Sequence, residues 1–220
     1  MKTAAFIPIK RNSERVTGKN FREIGGRKLY EHILINCVSA NCFDDIYVDT
    51  DSDEIKEYCK DTNIKIIDRV PALALNTANG NDMLNYQLGR CPDYNLYFQL
   101  FATAPFLRSD TIRKCVEALQ TTATHDSILT VTKETGWYWI NGIPVNYRPG
   151  ILPRSQDAEF ILKETTGLYG ISRDALRQYR CRIGAKPIFY EVTQDEAIDL
   201  DVIGDFIKAN RVYEQRNEEA

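Results

Sequence analysis

The sequence predicts an α/β protein, a mostly parallel sheet with helices on both faces and a small aromatic arm. Two observations carry this. Short apolar runs of strand length, at residues 4–9, 45–50, 64–67, 95–100 and 127–132, alternate with segments of helical period. The first run opens at once into a basic loop, as expected of a buried strand whose carboxyl end meets a ligand.

Taken in order, residues 4–9 (AAFIPI) form the first strand. The loop after it holds Lys10, Arg11, Arg15 and Lys19 among Asn12, Ser13, Thr17, Gly18 and Asn20. Gly25-Gly26 marks a turn. Residues 29–40 read as a helix, with Leu29, Ile33 and Cys37 on one stripe. Asp51 or Ser52 caps a helix at about 53–61, after the strand at 45–50. A loop over 69–82 leads into a helix near 82–89. The strand at 95–100 stops before Pro105, and Ser109 or Asp110 caps a helix over 110–121.

The rhythm changes at 134–166, which holds Trp137, Trp139, Tyr138 and Tyr147 among glycines and prolines. This reads as an arm, either a subunit interface or a local satellite core. Strands return at 167–171 and 188–192. The last helix begins at Leu200 or Asp201, with Ile203, Phe206, Ile207 and Tyr213 buried and Asp205 outward; the tail after Arg216 frays. The chain reads as one domain over 1–220.

Composition excludes several classes. With 220 residues and a net charge of −3, the basic residues are local, which argues against nucleic-acid binding. No apolar stretch approaches the about 20 residues of a membrane helix, and no signal-peptide pattern is present, so a cytoplasmic protein is expected. Six cysteines without a CxxC pair read as reduced thiols. His32 and His125 read as structural. There is neither GxGxxG nor GxxxxGK[ST].

Two constellations remain. The basic loop suits a triphosphate, or is simply a solvated surface. Asp199 and Asp201, two apart in extended backbone, point the same way and make a hard-oxygen site for Mg²⁺; alternatively Asp201 caps the helix and Asp199 is solvated. Together they point to nucleotidyl transfer, in which charge builds on phosphate oxygens.

Six segments then resemble the acylneuraminate cytidylyltransferases (CMP-sialic acid synthetases) and, more distantly, the Kdo cytidylyltransferases. They are IPIKRNSERVTGKN (7–20), CFDDIYVDTDSDEI (42–55), RVPALALNTANG (69–80), FQLFATAPFLRSDTI (98–112), TGLYGI (166–171) and QDEAIDLD (194–201). The resemblance implies a Rossmann-like three-layer α/β/α nucleotidyltransferase fold. It implies a homodimer built through the 134–166 arm and Mg²⁺-dependent transfer of CMP from CTP to an acidic 2-keto sugar. Arg11, Ser13, Arg15, Lys19 and Asn20 would then meet the CTP phosphates and nucleotide, and Ala78 and Asn79 the base. Gln99 and Arg108 would meet the sugar or frame its site, and Asp199 and Asp201 would hold the metal. Lys19, Arg11, Asp199 and Asp201 are the candidate catalytic group.

The chain departs from the family in three places. Ser13-Glu14-Arg15 stands for S-K-G. Lys163-Glu164-Thr165-Thr166-Gly167 stands for F-R-P-N-G, so Glu164 replaces an Arg that pairs with the sugar carboxylate. Cys181-Arg182-Ile183-Gly184 stands where an apolar sugar pocket is expected. Lys163, Arg154 and Arg182 are the candidate replacements for that Arg. The alternatives are transfer with a different sugar or nucleotide, and a catalytically silent nucleotide-binding relative.

Overall fold

The first apolar run becomes the third strand from one edge of a seven-stranded sheet. A computed structural model describes residues 1–75 and 77–218. In chain order the elements are β1 (Thr3–Ile9), the hairpin β2 (Glu23–Ile24) and β3 (Arg27–Lys28), α1 (Leu29–Ala40), β4 (Asp45–Thr50), α2 (Asp53–Cys59), β5 (Ile64–Asp68), α3 (Pro71–Ala74) and α4 (Gly80–Arg90). Then follow β6 (Leu96–Leu100), α5 (Ser109–Thr121), β7 (Ser127–Glu134), the arm hairpin β8 (Trp139–Ile140) and β9 (Ile143–Pro144), β10 (Ile161–Ser172), α6 (Arg173–Tyr179), β11 (Pro187–Glu191) and α7 (Ile203–Glu218). The sheet order is β11-β7-β10-β6-β1-β4-β5. Every pairing is parallel except those of β10, which runs antiparallel to β6 and β7.

Strand alternation makes the layers. Ala5, Ile7 and Ile9 of β1 face a core shared with α1, α2 and α5. Ala4 and Phe6 face the opposite core, closed by Leu84 and Leu88 of α4 and Ala175 and Leu176 of α6. Phe6 stacks on Tyr47 and Tyr97 at 5.2 and 5.8 Å. α7 sets Phe206 and Ala209 against Val16, Ile24 and Leu29, which pins the basic loop. The Gly25-Gly26 turn is left-handed (φ 55° and 78°), and a Cβ on Gly25 would strike the Tyr213 ring at 2.2 Å.

Several expectations are corrected. β10 begins at Ile161, so the last part of the expected arm belongs to the sheet. Its register slips between Glu164 and Tyr169, where Thr166 adopts φ 56°. α4 starts at Gly80, because Asn79 and Asp82 form a reciprocal capping box. The N-cap of α5 is Arg108; Asp110 instead pairs with Lys114 and Arg113. Ser52 stands at the N-cap of α2 without a side-chain bond, and Asp51 accepts the Arg11 N–H at 2.7 Å. α7 starts at Ile203, and Asp205 caps it by accepting the N–H groups of Asp201 and Val202, both at 2.9 Å. Ile203 and Ile207 are 55% and 57% exposed, since the buried stripe runs through Phe206 and Ala209. The expected tail after Arg216 is helical to Glu218, and residues beyond that lie outside the described ones.

The small groups fall as expected. All six cysteines are free. His32 is buried against the Ile24 carbonyl, and His125 meets the Thr122 and Thr124 hydroxyls. Among the described residues no helix is long and apolar enough to cross a membrane.

Candidate active site

The carboxyl ends of β1, β4, β5 and β6 open on one edge of the sheet, and the basic loop folds back over it. Gly18 turns through φ 63°, which starts a short 3₁₀ turn at Lys19. Asn20 is buried, and its Nδ2 donates to the Lys10 carbonyl at 2.8 Å, tying the loop's end to its start. Lys19 Nζ then donates to the Leu200 carbonyl at 3.1 Å and to Asp201 Oδ1 at 3.2 Å, 182 positions away in the chain. Arg15 Nη1 donates to Asp201 Oδ2 at 2.8 Å. The basic loop and the carboxylate segment therefore form one wall.

Beside this wall lies a cleft of about 170 Å³, bounded by Lys10, Lys19, Asn20, Arg69, Ala78 and Phe101. Arg69 backs it through a fully buried ion pair. Its Nε donates to Asp49 Oδ1 at 2.7 Å and its Nη2 to the Asp49 carbonyl at 2.8 Å. Gln87 Nε2 from α4 takes the other carboxylate oxygen at 3.0 Å. A charge pair this dry needs such full satisfaction, because each orphaned ion is costly.

The bulge of β10 meets the carboxylate segment from another side and lines a separate hollow with it. Thr165 Oγ1 donates to Thr130 Oγ1 at 2.7 Å, and Thr166 Oγ1 donates to Asp199 Oδ2 at 2.8 Å. Asp199 Oδ1 is buried without a partner. Among the described residues no group of three or more His, Cys, Asp or Glu gathers. Asp199 lines its own hollow with Glu164, Thr165, Asp205 and Lys208, whereas both Asp201 oxygens accept from Arg15 and Lys19, so the expected pairing of the two carboxylates is replaced by separate partners. Burial would raise the Asp205 carboxyl, but the N–H groups of Val202 and Asp201 outweigh it and hold the carboxyl below its ordinary range.

Lys19, Arg15, Asn20, Ala78 and Asp201 thus meet at the cleft or its wall, with Asp199 two residues from Asp201. Arg11 points elsewhere: it lines a second hollow with Thr17, Asp53 and Glu54. The neighbouring Lys10 faces the cleft instead. Ser13 is half-buried in the loop. Asn79 uses its side chain on the N–H groups of Asn81 and Asp82. Arg108 has an exposed side chain, and Glu196 holds its backbone N–H at 3.2 Å. Lys163 pairs with Glu134 at 3.1 Å, and Arg154 with Asp157 at 2.6 Å in the arm.

Gln99 and Arg182 come together over Gly80, where a Cβ would sit 3.0 Å from Gln99 Oε1 and 2.4 Å from Arg182 Nη1. Sequence reasoning counted Lys10 only as part of the basic loop and assigned no role to Arg69, Phe101 or Tyr169. Asp49 carried the one usable signal, a carboxylate inside an apolar strand that demands a buried partner. Tyr169 donates to Glu164 Oε2 at 2.8 Å. Burial pushes its hydroxyl well above the ordinary phenol range; nearby Arg182 opposes the shift and the Glu164 bond adds to it.

A mostly parallel sheet with a cationic cleft at its carboxyl edge and Asp201 in the wall is the layout of a nucleotidyltransferase. The chain belongs to the family described as Cytidylyltransferase, whose profile matches residues 4–218. It is 23% identical over 207 residues to N-acylneuraminate cytidylyltransferase A of Danio rerio, an alignment covering 90% of this chain and 48% of that protein. It is 28% identical over 154 residues to CMP-N,N'-diacetyllegionaminic acid synthase of Legionella pneumophila, covering 68% and 61%. The chain spans about half the length of the N-acylneuraminate cytidylyltransferases that it matches. Among solved structures it is similar in fold to CMP:2-keto-3-deoxy-manno-octonic acid synthetase complexed with CTP. That match has a TM-score of 0.73 and 16% identity, covering 98% of this chain and all of that one. A nucleotidyl transfer enzyme of Methanothermobacter also matches, with TM-score 0.69, 13% identity and coverage of 98% and 99%.

Proposed function

We propose that the chain is a Mg²⁺-dependent cytidylyltransferase that joins CMP from CTP to an acidic 2-keto sugar and releases pyrophosphate. The observation that carries this reading is the contact of Lys19 with Asp201 at the mouth of the cleft. It sets a cation of the kind that suits a triphosphate against a carboxylate of the kind that suits a metal ion, beside the cleft. The sugar's anomeric hydroxyl attacks the α-phosphorus, forming the new P–O bond as the bond to pyrophosphate breaks. Lys19, Arg15 and Lys10 present positive charge to the phosphates, and Asn20 keeps their loop folded. Ala78 and Phe101 offer the ring a small and an aromatic surface. Asp199 and Asp201 would hold Mg²⁺, which when bound supplies charge neutralisation and acidifies the attacking hydroxyl.

The first test is pyrophosphate release from CTP and Mg²⁺ with N-acetylneuraminic, legionaminic, pseudaminic and Kdo acids, against a no-sugar blank. We expect release with at least one acid, lost on chelation. A protein that binds no CTP in calorimetry with Mg²⁺ sinks the reading.

We further propose a cytoplasmic homodimer built through the arm. Its support is the exposure of Trp139, Ile140, Ile143, Ile151 and Leu152, at 57–68%, together in one short segment. Sedimentation equilibrium at micromolar concentration should return twice the 25.2 kDa chain mass, and Ile143→Asp should halve it. A wild-type monomer at that concentration removes the proposal.

A further inference from the structure

The edge of the sheet opposite the cleft carries another hollow, of about 190 Å³, between the amino ends of β1 and β6 and the carboxyl end of β10. Leu96 and Leu119 line its apolar part, and Asn95, His125, Ser172 and Arg173 its polar part. The five residues of β6, about 17 Å of strand, separate it from Phe101 in the cleft. Its neutral polar groups have their acceptor atoms committed locally. Asn95 Oδ1 accepts the Lys2 N–H at 2.8 Å, and Ser172 Oγ accepts the Ala175 N–H at 3.3 Å. Thr122 Oγ1 accepts the N–H groups of Thr124 and His125 at 3.2 and 3.3 Å, which fixes the turn that carries the imidazole. His125 Nδ1 lies 3.1 and 3.0 Å from the Thr122 and Thr124 hydroxyls, and accepting from either leaves the ring proton on Nε2. The amide of Asn95, the hydroxyl of Ser172 and the imidazole N–H are what these side chains can still offer, and all are donors.

Arg173 adds the charge. Its backbone N–H donates to the Asn95 carbonyl at 2.8 Å, which sets the two residues on one rim. Its Nε is buried and has no hydrogen-bond partner. The nearby carboxylate of Asp174 is 3.8 Å from Nε, beyond hydrogen-bond reach, and that side chain is 90% exposed. A buried charged donor without an acceptor is rare enough to call for one from outside the chain. A tetrahedral oxyanion offers an oxygen to each of several donors at once, whereas a carboxylate offers two. We propose that this hollow binds a phosphate-class oxyanion. Arg173 supplies the charge that holds it, and Asn95, His125 and Ser172 supply neutral donors. Leu96 and Leu119 keep part of its wall free of polar groups, so the charge-assisted bond forms in poorer solvent than at an open surface. The site stands apart from the cytidylyl-transfer cleft and does not depend on that reading.

The test is calorimetry of inorganic phosphate into the whole chain at constant ionic strength, with sulfate and acetate as comparison ions. Arg173→Met should weaken phosphate binding by about 10- to 100-fold, and Arg173→Lys, which keeps the charge but loses Nε, by less. His125→Ala, in an exposed turn, should weaken it by about three- to tenfold. Sulfate should compete with phosphate, and acetate should bind at least about tenfold more weakly. Lys19→Met separates this hollow from the cleft, whose cations can also attract phosphate, and it should leave the Arg173-dependent binding unchanged. A wild type that binds no phosphate overturns the proposal, as does binding that Lys19→Met removes and Arg173→Met spares. Acetate as tight as phosphate overturns the assignment to a tetrahedral oxyanion. If urea unfolding shows that Arg173→Met does not fold, Arg173→Lys and His125→Ala decide, and wild-type phosphate affinity in both overturns the proposal.

Discussion

Replacing Lys19 with Met should lower kcat/KM for CTP by roughly 100- to 1,000-fold, about 3–4 kcal/mol of transition-state stabilisation. Lys19 is the less exposed of the two cations that hold Asp201, at 11% of its side chain. Its charge therefore acts through less water than that of Arg15, at 64%, and each ångström of contact with developing phosphate charge counts for more. Met keeps the length and the apolar stem but removes the ammonium. The loss should fall mainly on kcat, because negative charge concentrates on the leaving pyrophosphate only as the P–O bond breaks. Stability should change little, since the ion pair lost is with Asp201, which is 37% exposed. Steady-state kinetics with varied CTP, alongside urea unfolding, checks both statements. A variant within threefold of wild type would falsify the assignment of Lys19 to the phosphates. A rise in KM alone would move its role to ground-state binding.

Much of the scaffold was legible in local patterns. β4 falls on its expected bounds because a short apolar run between polar turns has few other solutions, and α1 follows its apolar stripe. The errors share one cause: a group takes a different partner from the one its place in the sequence suggests. Asp110 stands where a cap is expected, but Lys114 one helical turn on competes for its carboxylate. Asp205 fits an outward helix position, yet two unsatisfied N–H groups just before it pull its carboxylate back. The strand over 167–171 is half of a longer one, because its first half pairs with β7 on a register that Thr166 shifts.

In the site, Lys19, Arg15 and Asp201 were legible as candidates through charge together with the family resemblance. The choice between Lys10 and Arg11 was not, since these adjacent residues face opposite ways after β1 and only the packed loop decides which enters the cleft. The Arg69–Asp49 pair was not read: Asp49 passed as part of its strand, and Arg69 as part of the loop ahead of Pro71.

That pair carries the largest expected effect on folding. Arg69→Met should destabilise the protein by about 3–5 kcal/mol, because it leaves Asp49 charged, fully buried and held only by Gln87. At this chain length the melting midpoint should fall by about 6–20 °C. The sign of the remedy is equally specific. Adding Asp49→Asn removes the stranded charge, so the double variant should regain much of the loss even though it has one hydrogen-bonded ion fewer. Asp49→Asn alone should be milder than Arg69→Met, since Arg69 keeps the Asp49 carbonyl as an acceptor and its far end borders the cleft, where water can reach it. Urea unfolding of the wild type, both single variants and the double variant gives the coupling directly. If the four stabilities simply add, the pair is not coupled, and Arg69 is in the fold for its contact with the nucleotide cleft. If they couple as expected, loss of the pair also loosens the tie between β4 and α4 through Gln87. The affinity for CTP should then weaken in Arg69→Met under conditions where the protein is still fully folded, because the floor of the cleft is no longer fixed.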